Sequence, residues 1–293
     1  MKTILIAGGK GLIGNQLKSI FVSKGYEVRI LTRNPKSTDE YKWNPKDNTI
    51  DLKALSNVKV LINLCGEGIA EKRWTDKRKQ ELYDSRIGTT NFLYSLKDQL
   101  PELETYISAS GITCYGFENH SKIYSEEDEF GKDYISQLVK KWEESADQFS
   151  SICRVVKLRT AVVLSKNGGA LPKLLKPIQL GIGSPLGTGK QIMPWIHIND
   201  LANLFLFSLE NTSIIGSINC LTDNSTNKEV TIACAHLLNK KLWFPNVPGF
   251  IMKLILGELS IILLDGVKVS NSKIKEKGFV FIYDSLEKAL KTD

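Results

Sequence analysis

The chain has few of the residues that build metal centres or disulfide frameworks. Its 293 residues include five cysteines, Cys65, Cys114, Cys153, Cys220 and Cys234, never arranged as C-x-x-C, and three dispersed histidines, His120, His197 and His236. This scatter argues against a zinc site and a disulfide scaffold and for a reducing, cytoplasmic setting, with no metal expected. Long apolar runs are also missing. The most hydrophobic stretch, 250–264, is interrupted by Lys253, Gly257 and Glu258. It is too short and too charged to span a bilayer, so we expect a buried helix pair or a subunit contact, a possible homodimer, and no membrane partner. The first apolar run is only a few residues long, so no amino-terminal signal peptide is expected. Despite a net charge of +7, there is no basic stripe interleaved with aromatics. The charge reads as general solubility, with no nucleic-acid partner.

What the chain does have begins at residue 3. The apolar run Thr3-Ile4-Leu5-Ile6-Ala7 leads directly into Gly8-Gly9-Lys10-Gly11-Leu12-Ile13-Gly14, followed by a helical pattern. A buried strand, a glycine turn and a helix amino terminus form a nucleotide-binding unit. Glycines permit torsions closed to other residues, and pyrophosphate can approach the amides of Gly11, Leu12 and Ile13 at the positive end of the helix dipole. The spacing is G-x-x-G-x-x-G, which points towards short-chain dehydrogenase-like and epimerase-like enzymes.

A second absence sharpens this reading. The next strand pattern, Tyr26 to Thr32, ends where a dinucleotide enzyme meets the adenine ribose, roughly 20 residues past the glycines. NAD enzymes place an acid there to bind the 2′-hydroxyl; this chain has Thr32-Arg33. A guanidinium matches a 2′-phosphate, so NADP(H) is the expected cofactor. Lys10 either adds a second cation near that phosphate or is an ordinary solvated lysine.

Strand-like runs at 3–7, 27–32, 58–64, 105–110, 154–159 and 192–198 alternate with helical stretches. This alternation predicts an α/β fold, a doubly wound parallel Rossmann sheet with a smaller carboxy-terminal substrate domain. Residues 1–165, completed by about 192–217, form the NADP-binding domain; 166–191 and 218–293 form the smaller one. After the third strand, Cys65-Gly66-Glu67-Gly68 turns beside the carboxyl end of the sheet, where ligands bind, and this brings Gly66 to the cofactor. Trp74 to Leu100 reads as one long helix with Thr75 as its N-cap.

Several segments in the same order resemble one family. They are Gly8 to Gly14, Leu31-Thr32-Arg33, Ile62 to Glu67, Arg73-Trp74-Thr75 with Asp84-Ser85-Arg86, Ile107 to Ser110, and Trp195 to Leu201. The chain resembles the atypical extended short-chain dehydrogenase/reductases of the NAD-dependent epimerase/dehydratase family, also called nucleoside-diphosphate-sugar epimerase-like. Its tail, 245–290, is similar to the uncharacterised carboxy-terminal domain of that group. The resemblance implies cofactor contacts at Gly8 to Gly14, Thr32, Arg33, Leu64, Cys65, Glu81, Arg86 and Val162.

Catalysis is where chain and family part. The superfamily's catalytic Tyr is followed four residues later by Lys, whereas Tyr134 is followed by Leu138, with Lys140 and Lys141 further on. Tyr134 is therefore expected to contribute little as an acid or base. Three candidates remain: Ser110, placed at a strand end facing the nicotinamide; Tyr115, just beyond it; and His197, where a strand enters a helix. Ser110 suits either a hydrogen bond to a substrate carbonyl or a local turn cap. Asp200 suits an N-cap. Two functions follow: an NADP(H)-dependent oxidoreductase or epimerase-like enzyme acting on a small-molecule carbonyl or hydroxyl substrate, or a non-catalytic NADP(H)-binding sensor or scaffold.

Overall fold

All five residues of β1 (Thr3–Ala7) are buried, because the strand has neighbours on both edges and packed layers on both faces. It pairs in parallel with β2 (Glu27–Thr32) and β5 (Val58–Asn63). This computed structural model describes residues 2–291. Six more strands complete or border the central sheet: β3 (Glu40–Asn44), β4 (Thr49–Ile50), β6 (Thr105–Gly111), β8 (Arg154–Thr160) and β11 (Gly216–Cys220) lie within it, while β7 (Ile123–Tyr124) lies outside. The sheet order is β11-β8-β6-β5-β1-β2-β3-β4, parallel except where β3 meets β4. The order reverses between β1 and β5, and the carboxyl ends of the strands at such a reversal are where sheets of this kind bind ligands.

Alternation along the strands divides the core. Ile4 and Ile6 face α1 (Leu12–Ser23) and α6 (Ile198–Glu210) through Leu17, Phe21, Leu201 and Phe205. Leu5 and Ala7 face the other layer, where α3 (Thr89–Ser95) supplies Phe92 and Leu93 and α4 (Tyr134–Asp147) supplies Ala146. A period of two in the strands thus sends successive side chains to opposite helix layers.

The segment expected as one long helix is divided. α2 (Asp76–Tyr83) starts at the Thr75 cap, whose hydroxyl accepts from the Arg78 amide. A π-helical turn, Asp84–Gly88, then separates it from α3. The Thr89 hydroxyl donates to the Asp84 carbonyl and Thr90 to the Arg86 carbonyl, helping to accommodate the widened turn, a feature often found at functional sites.

A second correction concerns 192–198. Strand β10 (Ile192–His197) forms as predicted but does not return to the central sheet. It pairs in parallel with β9 (Val162–Leu164) and antiparallel with β12 (Asp223–Thr226). β11 takes the edge position beside β8 instead. The small sheet packs with α5 (Leu171–Gln179), α7 (Asn227–Leu237) and α11 (Leu286–Lys291) around Leu171, Trp195, Val230 and Leu290. Asp200 is not the cap of α6. His197 Nδ1 accepts from the Asn199 amide at 3.2 Å, while buried Asp200 accepts the Ile282 and Tyr283 amides at 3.0 and 2.9 Å.

The tail contains α8 (Gly249–Leu256), α9 (Ile261–Leu264), β13 (Lys268–Val269), paired with β7, and α10 (Ser272–Glu276). No residue of α8 or α9 is buried, so the expected buried helix pair at 250–264 does not form. Their apolar side chains exceed what the neighbouring elements cover. Among the described residues no helix is long and apolar enough to cross a membrane.

Candidate active site

The glycines of the turn do three different jobs. Gly8 has φ +80°, and a Cβ there would lie 3.0 Å from the Leu64 carbonyl carbon, so it permits both the turn and the approach of β1 to β5. Gly9 and Gly14 pack: a Cβ on Gly14 would lie 2.5 Å from the Gly9 Cα, and one on Gly9 would lie 2.5 Å from Ile30 Cδ1. Gly11 differs. A Cβ there would have only the Gly8 carbonyl oxygen nearby, at 3.4 Å, so its outer side is open. Gly11 is also the N-cap of α1, without a side-chain cap and with no acid in the first turn. The helix start is therefore an open set of amides suited to an anion. Leu12 lies against Gly168 and Gly169 of the second lobe, at 3.5 and 3.3 Å from the Cβ positions of those glycines, and Ile13 packs on the core.

Beside the turn, Arg33 is exposed at the end of β2 and makes no ion pair or hydrogen bond among the described residues. Thr32 Oγ1 accepts from the Asn34 amide at 3.4 Å. Lys10 is occupied: its ammonium pairs with Glu40 at 2.5 Å, and Glu40 also accepts the Lys36 amide. Lys10 is thus an exposed lysine held in a surface ion pair. Arg33, by contrast, forms no ion pair among the described residues.

The end of β5 supplies Leu64, whose amide donates to the Ala7 carbonyl at 2.9 Å. The Cys65 amide donates to Asn63 Oδ1 at 3.0 Å. Burial pushes the Cys65 thiol up to about 12, against the pull of Arg33. It is a packing group rather than a nucleophile. Gly66 comes next, and a Cβ there would lie 3.0 Å from the Arg86 guanidinium carbon.

Arg86 is the most unusual group near this end of the sheet. It is 5% exposed and donates to the carbonyls of Glu67 and Leu82 at 2.9 and 3.2 Å and to Ser85 Oγ at 3.3 Å. Among the described residues it has no carboxylate partner, and its Nε has no acceptor. Burial pushes its pKa down to about 10. Glu81, instead of facing Arg86, binds Arg78 at 2.7 Å, and Arg78 in turn donates to the Gly68 carbonyl at 2.8 Å. Glu81 thus holds the loop through Arg78. Val162 opens β9 opposite Trp195.

Of the three proton-handling candidates, Ser110 and Tyr115 meet in one buried network through Glu143 and Arg159, while His197 lies apart from it. Ser110 is buried and donates to Glu143 Oε1 at 2.6 Å. Glu143 also accepts Arg159 at 2.7 and 2.9 Å and Ser217 at 2.9 Å. Burial opposes charge on Glu143, but Arg159 prevails and holds its carboxyl below the usual range. Tyr115 donates to Asn219 Oδ1 at 2.6 Å and accepts from Arg159 at 2.9 Å, and burial drives its phenol far up. His197 caps α6 and lies against the Tyr283 ring, with centroids 3.7 Å apart and the planes tilted by 31°. Tyr134 donates to the Lys79 carbonyl at 3.2 Å, and burial raises its pKa despite the field of Arg86. The ammonium near its ring belongs to Lys79 of α2, 4.9 Å from the centroid, not to α4.

The sequence reading missed Arg78, Glu143 and Arg159. One signal was available: Lys157 and Arg159 alternate with Val156 and Leu158 in a strand, which places two cations on one face that must meet acids.

Comparison with known proteins identifies the family. Residues 4–220 match the NAD dependent epimerase/dehydratase family, and residues 247–292 match a domain of unknown function, DUF1731. The epimerase family protein SDR39U1 of Mus musculus is 32% identical over 294 residues, covering 98% of each chain. The epimerase family protein SAR0825 of Staphylococcus aureus (strain MRSA252) is 35% identical over 301 residues, covering 99% of this chain and 98% of its own. The crystal structure of human SDR39U1 (isoform 2) with NADPH superposes with a TM-score of 0.89 at 29% identity, over 99% of this chain and 98% of that one. UDP-glucose 4-epimerase of Thermotoga maritima, solved with UDP-glucose, has a TM-score of 0.79 at 16% identity over 99% of this chain and 96% of its own, a likeness of fold alone. The chain belongs to the NAD dependent epimerase/dehydratase family.

Proposed function

We propose that the protein binds NADP(H) and acts as an oxidoreductase or epimerase-like enzyme on a small carbonyl or hydroxyl compound. One observation carries the cofactor choice: at the end of β2, where an acid would select NAD, stands the exposed and unpaired guanidinium of Arg33. Two further features fit the rest of the dinucleotide. The outer side of Gly11 leaves room at the open amides of α1, and the buried Nε of Arg86 lacks an acceptor. Human SDR39U1 in complex with NADPH supports the same reading. Bound nicotinamide supplies hydride chemistry. The chain's part is to seat the pyrophosphate at Gly11 to Ile13, meet the 2′-phosphate with Arg33 and place Arg86 against the loop that follows β5.

Calorimetry with NADPH and NADH tests this. The protein is expected to prefer NADPH, and Arg33→Ala should remove most of the preference, about 1.5–3 kcal/mol for a charge-assisted pair. Equal affinity of the unaltered protein for both cofactors would contradict the proposal.

A second reading, a non-catalytic NADP(H)-binding sensor or scaffold, has its own support. Ser110, Tyr115 and His197 all have protein partners, and Leu138 follows Tyr134 where the superfamily has lysine. NADPH oxidation against a broad carbonyl panel separates the two. Turnover supports the enzyme; tight NADPH binding without turnover, together with redox-dependent partner binding, supports the sensor.

A further inference from the structure

Helix α8 is apolar and covered on one side only: Ile251, Met252 and Leu256 are partly buried, Leu256 against the core, while the opposite side is left exposed among the described residues. Phe250 is 71% exposed and Leu254 76%, and just ahead of the helix Trp243 is 75% exposed, with Phe244 beside it. Leu180 and Ile182 are exposed on a neighbouring loop. Ser184 ties that loop to the Phe244 and Pro245 carbonyls at 3.3 and 2.6 Å, and Leu186 bridges to Val247. The two apolar segments therefore belong to one stitched unit.

The charge of the same unit is one-sided. Residues 166–191 and 230–257 contain seven lysines and no Asp or Glu. Among the described residues, Lys173, Lys176, Lys190, Lys240, Lys241 and Lys253 form no ion pair, and the Lys241 ammonium lies 5.8 Å from the centroid of the exposed Trp243 ring. Exposed aromatic and aliphatic side chains among unopposed lysines have the composition of a surface that meets anionic headgroups.

We propose that this face docks the protein on an anionic lipid surface. Trp243, Phe250 and Leu254 enter the headgroup boundary, and the lysines lie over lipid phosphates. Side chains three-quarters exposed stand clear of their own surface and have the depth to enter such a layer. A second copy is a poorer occupant, because a two-fold contact would set this lysine-rich face against itself. The docking is peripheral, since no described helix can span. The absence of a spanning segment, which led to the expectation of no membrane partner, does not bear on surface docking.

Trp243 makes the proposal readable in solution, because Trp43, Trp74, Trp142 and Trp195 are buried. Full-length protein is floated with vesicles of phosphatidylcholine alone and of phosphatidylcholine mixed with phosphatidylglycerol, while tryptophan emission is followed. We expect binding to the anionic vesicles only, release by salt, and a blue shift of emission with protection from an aqueous quencher. Phe250→Ser with Leu254→Ser should weaken binding on the order of tenfold, as should Lys240→Glu with Lys241→Glu. Both double variants should keep NADPH affinity, which shows that they are folded. Equal binding to both vesicle types, no binding to either, or a lipid-free dimer that shields Trp243 would overturn the proposal. So would capture of an acidic protein by this face without vesicle binding.

Discussion

Arg159 and Arg86 are buried almost equally, 3% and 5% exposed, yet only one of them has a counter-ion. Arg159 forms two hydrogen bonds with Glu143 and a third with Tyr115. Its pKa is driven up, because hydrogen bonds and nearby charges outweigh the burial that opposes it. Arg86 binds carbonyls and a hydroxyl and lies 5.1 Å from the Trp142 ring centroid, retains an orphan Nε, and is pushed down by burial to about 10. A buried charge without a partner costs stability. The first arginine is explained by the fold of this chain alone; for the second we propose an acceptor or anion that the chain does not supply, since Arg78, whose Nε is likewise without an acceptor, has the carboxylates of Glu67 and Glu81 that Arg86 lacks. Arg86 stands at the loop where the sheet order reverses, and this is why we assign it to the cofactor.

The contrast can be broken from the Arg159 side, where the largest effect is expected. Glu143→Gln leaves the guanidinium buried without its carboxylate and should lower unfolding free energy by about 3–5 kcal/mol, measured by denaturant titration. The pH dependence has a definite sign. Because the Glu143 carboxyl in the folded protein lies below its ordinary value of 4.5, its contribution is present above that value and is lost as pH falls through the folded value. The wild-type protein should lose stability on acidification over that range, and the variant should lose less.

A smaller effect separates packing glycines from the binding glycine. Gly14→Ala drives a methyl into the Gly9 backbone and should destabilise the protein by about 1–3 kcal/mol in thermal unfolding. Gly11→Val meets little protein and should remain folded, while calorimetry shows NADPH affinity reduced on the order of a hundredfold as the side chain enters the pyrophosphate space. If both variants unfold alike, Gly11 has no special role.

The smallest effect belongs to Lys10. Its ammonium is committed to Glu40, so Lys10→Ala should change NADPH affinity by no more than about threefold. A loss as large as that of Arg33→Ala would show that Lys10 leaves Glu40 when cofactor binds.

What was legible in the sequence was local. β1, β2, β5, β6 and β8 follow apolar runs bounded by turns, and the glycine turn and Arg33 are readable from their place beside those runs. β3, with its Glu40-Tyr41-Lys42 start, and β11, with Gly216-Ser217, are polar and short; their identity as strands comes from neighbours far away in sequence. For β10 the pattern found the strand but held no information about its partner, since a period of two is the same in either sheet. The site divides likewise. Ser110 was legible as a strand-end hydroxyl, but its engagement depends on Glu143, 33 residues on. The orphan Nε of Arg86 is visible only in three dimensions.

The most direct test of that assignment is the thermal unfolding midpoint of the wild-type protein and of Arg86→Met, each with and without saturating NADPH. NADPH should raise the wild-type midpoint; Arg86→Met without cofactor should be at least as stable as wild type and should gain far less from NADPH. A variant that is destabilised without cofactor, yet gains as much from NADPH as wild type, would show that Arg86 serves the fold rather than the ligand.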